Sequence, residues 1–160
     1  MRKVFLITGF GNWGKTTLLS DLFATKAFRK KTAHYFAGCP FLVMPKSNDD
    51  LGKRGYEDAF HDRLHEFEQA NGRAQYIASA FCPTKEPIND SIAILRTIFR
   101  SDQVEMLLLK HKWCGHAELR EPDIRAFYAG EGNVTISVVT SKNASDRLSQ
   151  AHSILTSKLP

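Results

Sequence analysis

A chain of 160 residues, 42% hydrophobic and 24% charged, is long enough for one domain with a proper core, and its balance excludes a disordered or fibrous protein. Its longest apolar runs fall far short of the roughly 20 residues of a membrane helix, and residues 4–7 are too short for the apolar core of a secretory signal. Three widely spaced cysteines, Cys39, Cys82 and Cys114, fit reduced thiols better than a disulfide framework, and the net charge of +5 is scattered apart from Lys26, Arg29, Lys30 and Lys31. The expectation is a single cytoplasmic domain spanning residues 1–160, with no membrane partner and no strong signal for nucleic acid.

In chain order, Val4, Phe5, Leu6 and Ile7 form a continuously apolar run, as a strand buried on both faces requires. After a glycine-containing loop, Leu18, Leu19, Leu22 and Phe23 share one helical face over residues 16–23. A second apolar run, residues 41–44, stops at Pro45; residues 46–55 are polar and read as a loop. Tyr56, Ala59, Phe60, Leu64 and Phe67 then recur at helical spacing up to Asn71 and Gly72. A strand over residues 75–81 ends at Pro83, and a helix over 88–99 carries Asp90 near its start, with Ile88, Ile92, Leu95 and Phe99 along one side. A strand over 104–109, a helix over 117–128, a strand over 134–139 and a helix over 144–155 complete the set. The alternation predicts an α/β fold: a three-layer, doubly wound, mostly parallel sheet of about five strands with helices on both faces.

The segment Gly9-Phe10-Gly11-Asn12-Trp13-Gly14-Lys15-Thr16 matches the pattern GxxxxGK[ST], and it lies between a buried strand and a helix, the context this pattern requires. Glycines let the backbone turn tightly and aim N–H groups inward, while a helix N-terminus adds partial positive charge for phosphates. On these residues the chain resembles the P-loop NTPase superfamily. The resemblance implies that residues 9–17 bind the phosphates of ATP with Mg2+, that Lys15 reaches the β and γ phosphates, that the Thr16 hydroxyl binds magnesium and that Thr17 contacts the α phosphate. Trp13 is unusual in such a loop and reads either as a packed or exposed aromatic or as a cover for the base.

P-loop enzymes usually carry an acid at the end of a central strand. Residues 77–81 instead run into Cys82-Pro83-Thr84-Lys85, and residues 104–109 into Lys110-His111-Lys112. Asp49 and Asp50, just past the second strand, are the acidic candidates, as a magnesium-side carboxylate or as a base, or else part of a solvated loop. Residues 78–83, Ala-Ser-Ala-Phe-Cys-Pro, resemble the strand of adenylylsulfate kinases that runs into an aromatic residue and a proline. Small kinases of the nucleoside monophosphate and adenylylsulfate type also place lid arginines between their last two strands. Arg120 and Arg125 fall in that interval, although salt-bridged helix surface explains them equally well.

The favoured expectation is an ATP-dependent phosphotransferase acting on a small phosphate acceptor, with Lys53 or Arg54 as an anion contact. The alternative is a regulatory NTPase or nucleotide-gated interaction protein with little turnover. A GTPase is less favoured because the guanine-selecting Asn-Lys-x-Asp does not occur. His111, Cys114 and His116 lie within six residues, but without a matched second pair they read as ordinary loop residues rather than a zinc site. Cys82 reads as a small buried apolar group.

Overall fold

The computed structural model describes residues 1–112 and 118–160. In chain order its elements are β1 (Lys3–Thr8), α1 (Lys15–Leu22), β2 (His34–Phe36), β3 (Cys39–Met44), α2 (Asn48–Asn71), β4 (Tyr76–Phe81), β5 (Lys85–Glu86), β6 (Asn89–Asp90), α3 (Ser91–Ile98), β7 (Gln103–Leu109), α4 (Glu121–Phe127), β8 (Val134–Val139) and α5 (Ala144–Lys158). The main sheet is mixed, in the order β2-β3-β4-β1-β7-β8; β5 and β6 form a separate hairpin. All its pairings are parallel except that of β2 with β3.

Strand β1 sits between β4 and β7, and Val4, Phe5 and Leu6 have no exposed surface, so the expected continuous apolar run is explained by burial on both faces. On one face the rings of Phe5 and Phe41 meet at 5.8 Å, and Phe23 at the end of α1 packs on Phe41 at 5.2 Å. The same face takes α5, whose His152 ring lies 4.8 Å from Phe36. On the other face Tyr56 of α2 packs on Phe81, and Phe60 on Phe99. Tyr56 is wholly buried, yet its hydroxyl is satisfied by Ser79 Oγ at 2.7 Å.

Four expectations are corrected. The sheet has six strands rather than about five, because β2 folds back on β3 through a two-residue turn with positive φ at Ala37 (50°) and Gly38 (79°). A turn with both central residues at positive φ favours Asn-Gly or Asp-Gly, and Ala-Gly carries no such signal. Residues 46–55 are not a loop throughout. Helix α2 begins at Asn48, where Ser47 and Asp50 form a reciprocal cap: Ser47 Oγ accepts from Asp49 N, and Asp50 accepts from Ser47 N. The helix breaks at Gly52 (φ 71°, ψ 174°) and resumes at Lys53, whose N–H donates to Ile88 O. That break had disguised its first turn as loop.

Ile88 does not lie on α3. It sits in the β5–β6 turn with 81% of its surface exposed, and α3 starts at Ser91 behind the Asp90 cap. Likewise α4 starts at Glu121 rather than 117: Pro122 marks its first turn, while Glu118 bridges His111. Ala117 lies outside the described residues. Among the described residues no helix is long and apolar enough to cross a membrane. The basic cluster is partly neutralised by α2, with Lys30 on Asp62 and Lys31 on Glu66 at 3.6 Å.

Asn48 ties these pieces together. Fully buried, it donates to Cys82 O and Asn89 Oδ1 at 2.9 Å each and accepts from Cys82 N at 2.7 Å. Removing its side chain strands the Cys82 peptide and the Asn89 amide without partners. Asn48→Ala is therefore expected to cost about 3 kcal/mol in urea denaturation, whereas Ser145→Ala on the exposed start of α5 stays within about 0.5 kcal/mol.

Candidate functional site

The crevice follows from the strand order. The connection leaving β1 through α1 runs toward β3, while that leaving β4 through α3 runs to β7 on the other side, so the chain diverges above the carboxyl ends of β1 and β4. Gly9 N–H extends the β1–β4 pairing by donating to Phe81 O at 3.1 Å, and the chain then turns through residues 10–14 into α1. A side chain at Gly9 would meet Trp13 Cβ at 3.3 Å. Trp13 is 6% exposed and its ring meets that of Phe10 at 5.7 Å in a T-shaped contact, as the packed-aromatic reading requires.

The turn ends in Gly14 at φ 83° and ψ 21°, and α1 has no side-chain cap, unlike α2, α3 and α5. The N–H groups of its first turn, at Lys15, Thr16 and Thr17, thus have no intrahelical acceptor and carry the positive end of the helix dipole. Lys15 is only 7% exposed, and its Nζ donates to Gly9 O and Phe10 O at 2.8 Å each. Burial pushes its pKa down from the usual 10.5, an effect opposed by Asp49 and Asp50. Two carbonyls and a nearby carboxylate hold this cation above the buried strand.

A cleft of about 240 Å³ joins residues 11–17 to Ser47, Asp49 and Asp50. The structure brings Asp49 onto the glycine loop: its Oδ2 lies 2.7 Å from where a Cβ on Gly11 would stand. Asp50 belongs to the cap of α2, so of the two expected acids Asp49 is the one that faces the loop while Asp50 holds the helix start. Thr16 donates its hydroxyl proton to Pro45 O at 3.0 Å, which leaves both lone pairs for a cation. Thr17 is exposed and lines both this cleft and an adjoining hollow of about 440 Å³ with Asn12, Gly14, Leu18, Asp21, Ala144 and Arg147.

Cys82 takes the place at the end of β4 where an acid was sought. It is 1% exposed, and burial, with the Asp49 carboxylate nearby, pushes its thiol up to about 12. It stays neutral and gives Lys15 no countercharge. Arg120 and Arg125 are not drawn to the loop: Arg120 is paired with Asp123 at 3.6 Å and Arg125 with Glu121 at 2.8 Å, all on α4 or its cap. Of Lys53 and Arg54, Lys53 pairs with Glu57 at 2.8 Å. Among the described residues no three His, Cys, Asp or Glu side chains cluster as metal ligands, and Cys114 and His116 lie outside those residues.

Sequence reasoning missed Asn48, which fixes the turn carrying Asp49, and Arg147, which reaches the loop from α5. The Ser-x-x-Asp spacing of residues 47–50 was the one available signal for the first; the polar start of α5 offered none for the second. Comparisons with protein-family models, curated proteins and solved structures find no match, so the geometry carries the functional reading by itself.

Two outcomes test this geometry. Gly11 has an ordinary φ, so Gly11→Ala is expected to displace the Asp49 carboxylate with less than about 1 kcal/mol lost in thermal unfolding. Lys15→Met is expected to stabilise the ligand-free protein by roughly 1 kcal/mol, because a buried cation with a lowered pKa opposes folding while charged. Between the lowered folded pKa and the usual 10.5 the unfolded chain binds the extra proton, so wild-type stability rises with pH there. The advantage of the methionine variant should therefore shrink with rising pH, as read by unfolding at neutral and alkaline pH.

Proposed function

We propose that this chain binds the phosphates of ATP with Mg2+ at residues 9–17, as a P-loop nucleotide-binding protein of the small-kinase kind. The observation that carries the reading is the buried Lys15, held on the loop's own carbonyls at an uncapped helix N-terminus, facing Asp49. Unpartnered N–H groups and a fixed ammonium make a site for an anion. The parallel strand order β3-β4-β1-β7-β8 and the crevice above β1 and β4 support the same reading.

Each residue then has a physical role. Residues 11–17 offer N–H donors to phosphate oxygens, Lys15 turns from the Gly9 and Phe10 carbonyls to them, and the hollow beside Asn12 and Asp21 is large enough for a nucleoside. Thr16 and Asp49 supply the hard oxygen donors that suit magnesium, which when bound neutralises phosphate charge. Asp49 is the carboxylate for phosphoryl transfer to a small acceptor: Asn48 holds it on a rigid turn, and rigidity is what positions a catalytic group.

A second reading, a nucleotide-gated interaction protein with little turnover, is favoured by one specific observation. Arg120 and Arg125 are paired within α4 and its cap, leaving no arginine from that segment at the phosphates. Cytoplasmic location belongs to the proposal with either reading.

Calorimetric titration with ATP and GTP, with and without magnesium, decides between them when phosphate release and transfer are assayed in the same samples. Magnesium-dependent ATP binding that Lys15→Ala weakens by roughly a hundredfold is expected; unchanged affinity in that variant refutes the reading. Asp49→Asn should tighten metal-free ATP binding, because it removes a negative charge from the cleft, while flattening the magnesium dependence and lowering turnover. Tight binding without transfer to any acceptor would favour the gated protein.

A further inference from the structure

Arg147 is a buried charge that the loop's own residues do not explain. It sits one turn into α5, behind the Asn143 cap, and only 4% of it is exposed. Its Nη1 donates to Trp13 O at 3.0 Å and its Nη2 to His111 O, while its Nε has no acceptor among the described residues. No carboxylate among those residues pairs with it. Burial lowers its pKa, but a guanidinium keeps its proton at any ordinary pH. A charge buried without a counter-ion costs stability, so what this side chain contributes lies in the backbone it holds.

The held group is the peptide between Trp13 and Gly14. All peptide bonds of the described chain are trans, and in a planar trans peptide the C=O of one residue and the N–H of the next point in opposite directions. Turning Trp13 C=O toward α5 therefore turns Gly14 N–H the other way, away from Arg147. Gly14 lines the cleft shared with Lys15, Thr16 and Asp49. Glycine adopts φ of either sign at little cost, so this peptide has two accessible orientations unless something outside the loop selects one. The second bond, to His111 O, fixes the guanidinium plane. The guanidinium reaches the two carbonyls from two separate nitrogens fixed in one plane, whereas a lysine would offer a single ammonium in their place.

We infer that Arg147 is a positioning residue that locks the Trp13–Gly14 peptide so that the Gly14 N–H is presented to an anion in the cleft. The identity of that anion, Mg-ATP, rests on the function proposed above; the lock does not. The test records the Gly14 amide by nitrogen-15 NMR in the ligand-free protein, alongside calorimetric titration with Mg-ATP. The proteins compared are the wild type, Arg147→Met, Arg147→Gln and Arg147→Lys, with thermal unfolding as the check on folding.

The expected result is a Gly14 amide signal that moves and broadens in Arg147→Met and Arg147→Gln as the peptide samples both orientations. Mg-ATP affinity should fall about tenfold, the equivalent of one hydrogen bond to a charged group, with part of both effects restored in Arg147→Lys. If the methionine variant does not fold, the glutamine and lysine variants carry the same comparison. A folded variant whose Gly14 amide is unmoved overturns the inference, even if affinity falls, because charge alone then explains the loss. A displaced Gly14 amide in a protein whose wild type fails to bind Mg-ATP would uphold the lock and sink the nucleotide reading.

Discussion

The parallel pairing of β1 on both edges, with β4 and β7, is the constraint on which the rest of the molecule depends. A strand paired on both sides and covered on both faces uses its backbone groups in the sheet and favours apolar side chains, and Val4, Phe5 and Leu6 are wholly buried. Polar chemistry is thereby confined to the place where the chain leaves the sheet. The loop over residues 9–14 makes that exit, and it ends in a helix whose first N–H groups are left uncapped. Sheet centre, loop and bare helix terminus are one arrangement rather than three.

The carboxylate opposite this loop is delivered indirectly. Asn48 stitches the first turn of α2 to the Cys82 peptide, and Gly52 lets the chain change direction one turn later, so that Asp49 stands over Gly11. The neighbouring strand ends in a thiol pushed up to about 12 by burial, a group with no charge to offer. A carboxylate from the next strand over thus does the work of countering Lys15. Under the nucleotide reading, that exchange relocates the acid without changing the chemistry at hand.

Two buried cations, Lys15 and Arg147, meet the loop, and both are held by main-chain carbonyls. Each is costly for folding, since carbonyl dipoles replace only part of the water lost. Stability spent on such groups is the usual mark of a site whose purpose lies outside the fold.

Much of this was legible in the sequence. The apolar run at residues 4–7, the glycine pattern of residues 9–16 and the helical face through Leu18, Leu19 and Leu22 depend on local spacing, so the central strand, the loop and α1 could be read directly. The α/β class followed from the alternation of runs. What the sequence could not decide was which acid faces the loop, that Asn48 places it, and that an arginine 134 positions beyond Trp13 holds the loop's backbone. It also missed β2 and the first turn of α2, where Ala37 at positive φ and the break at Gly52 run against local preference. The physical reason is common to all of these. Periodicity and turn chemistry act between near neighbours and leave a local record, whereas contacts between side chains brought together across the sheet exist only once the strands are ordered.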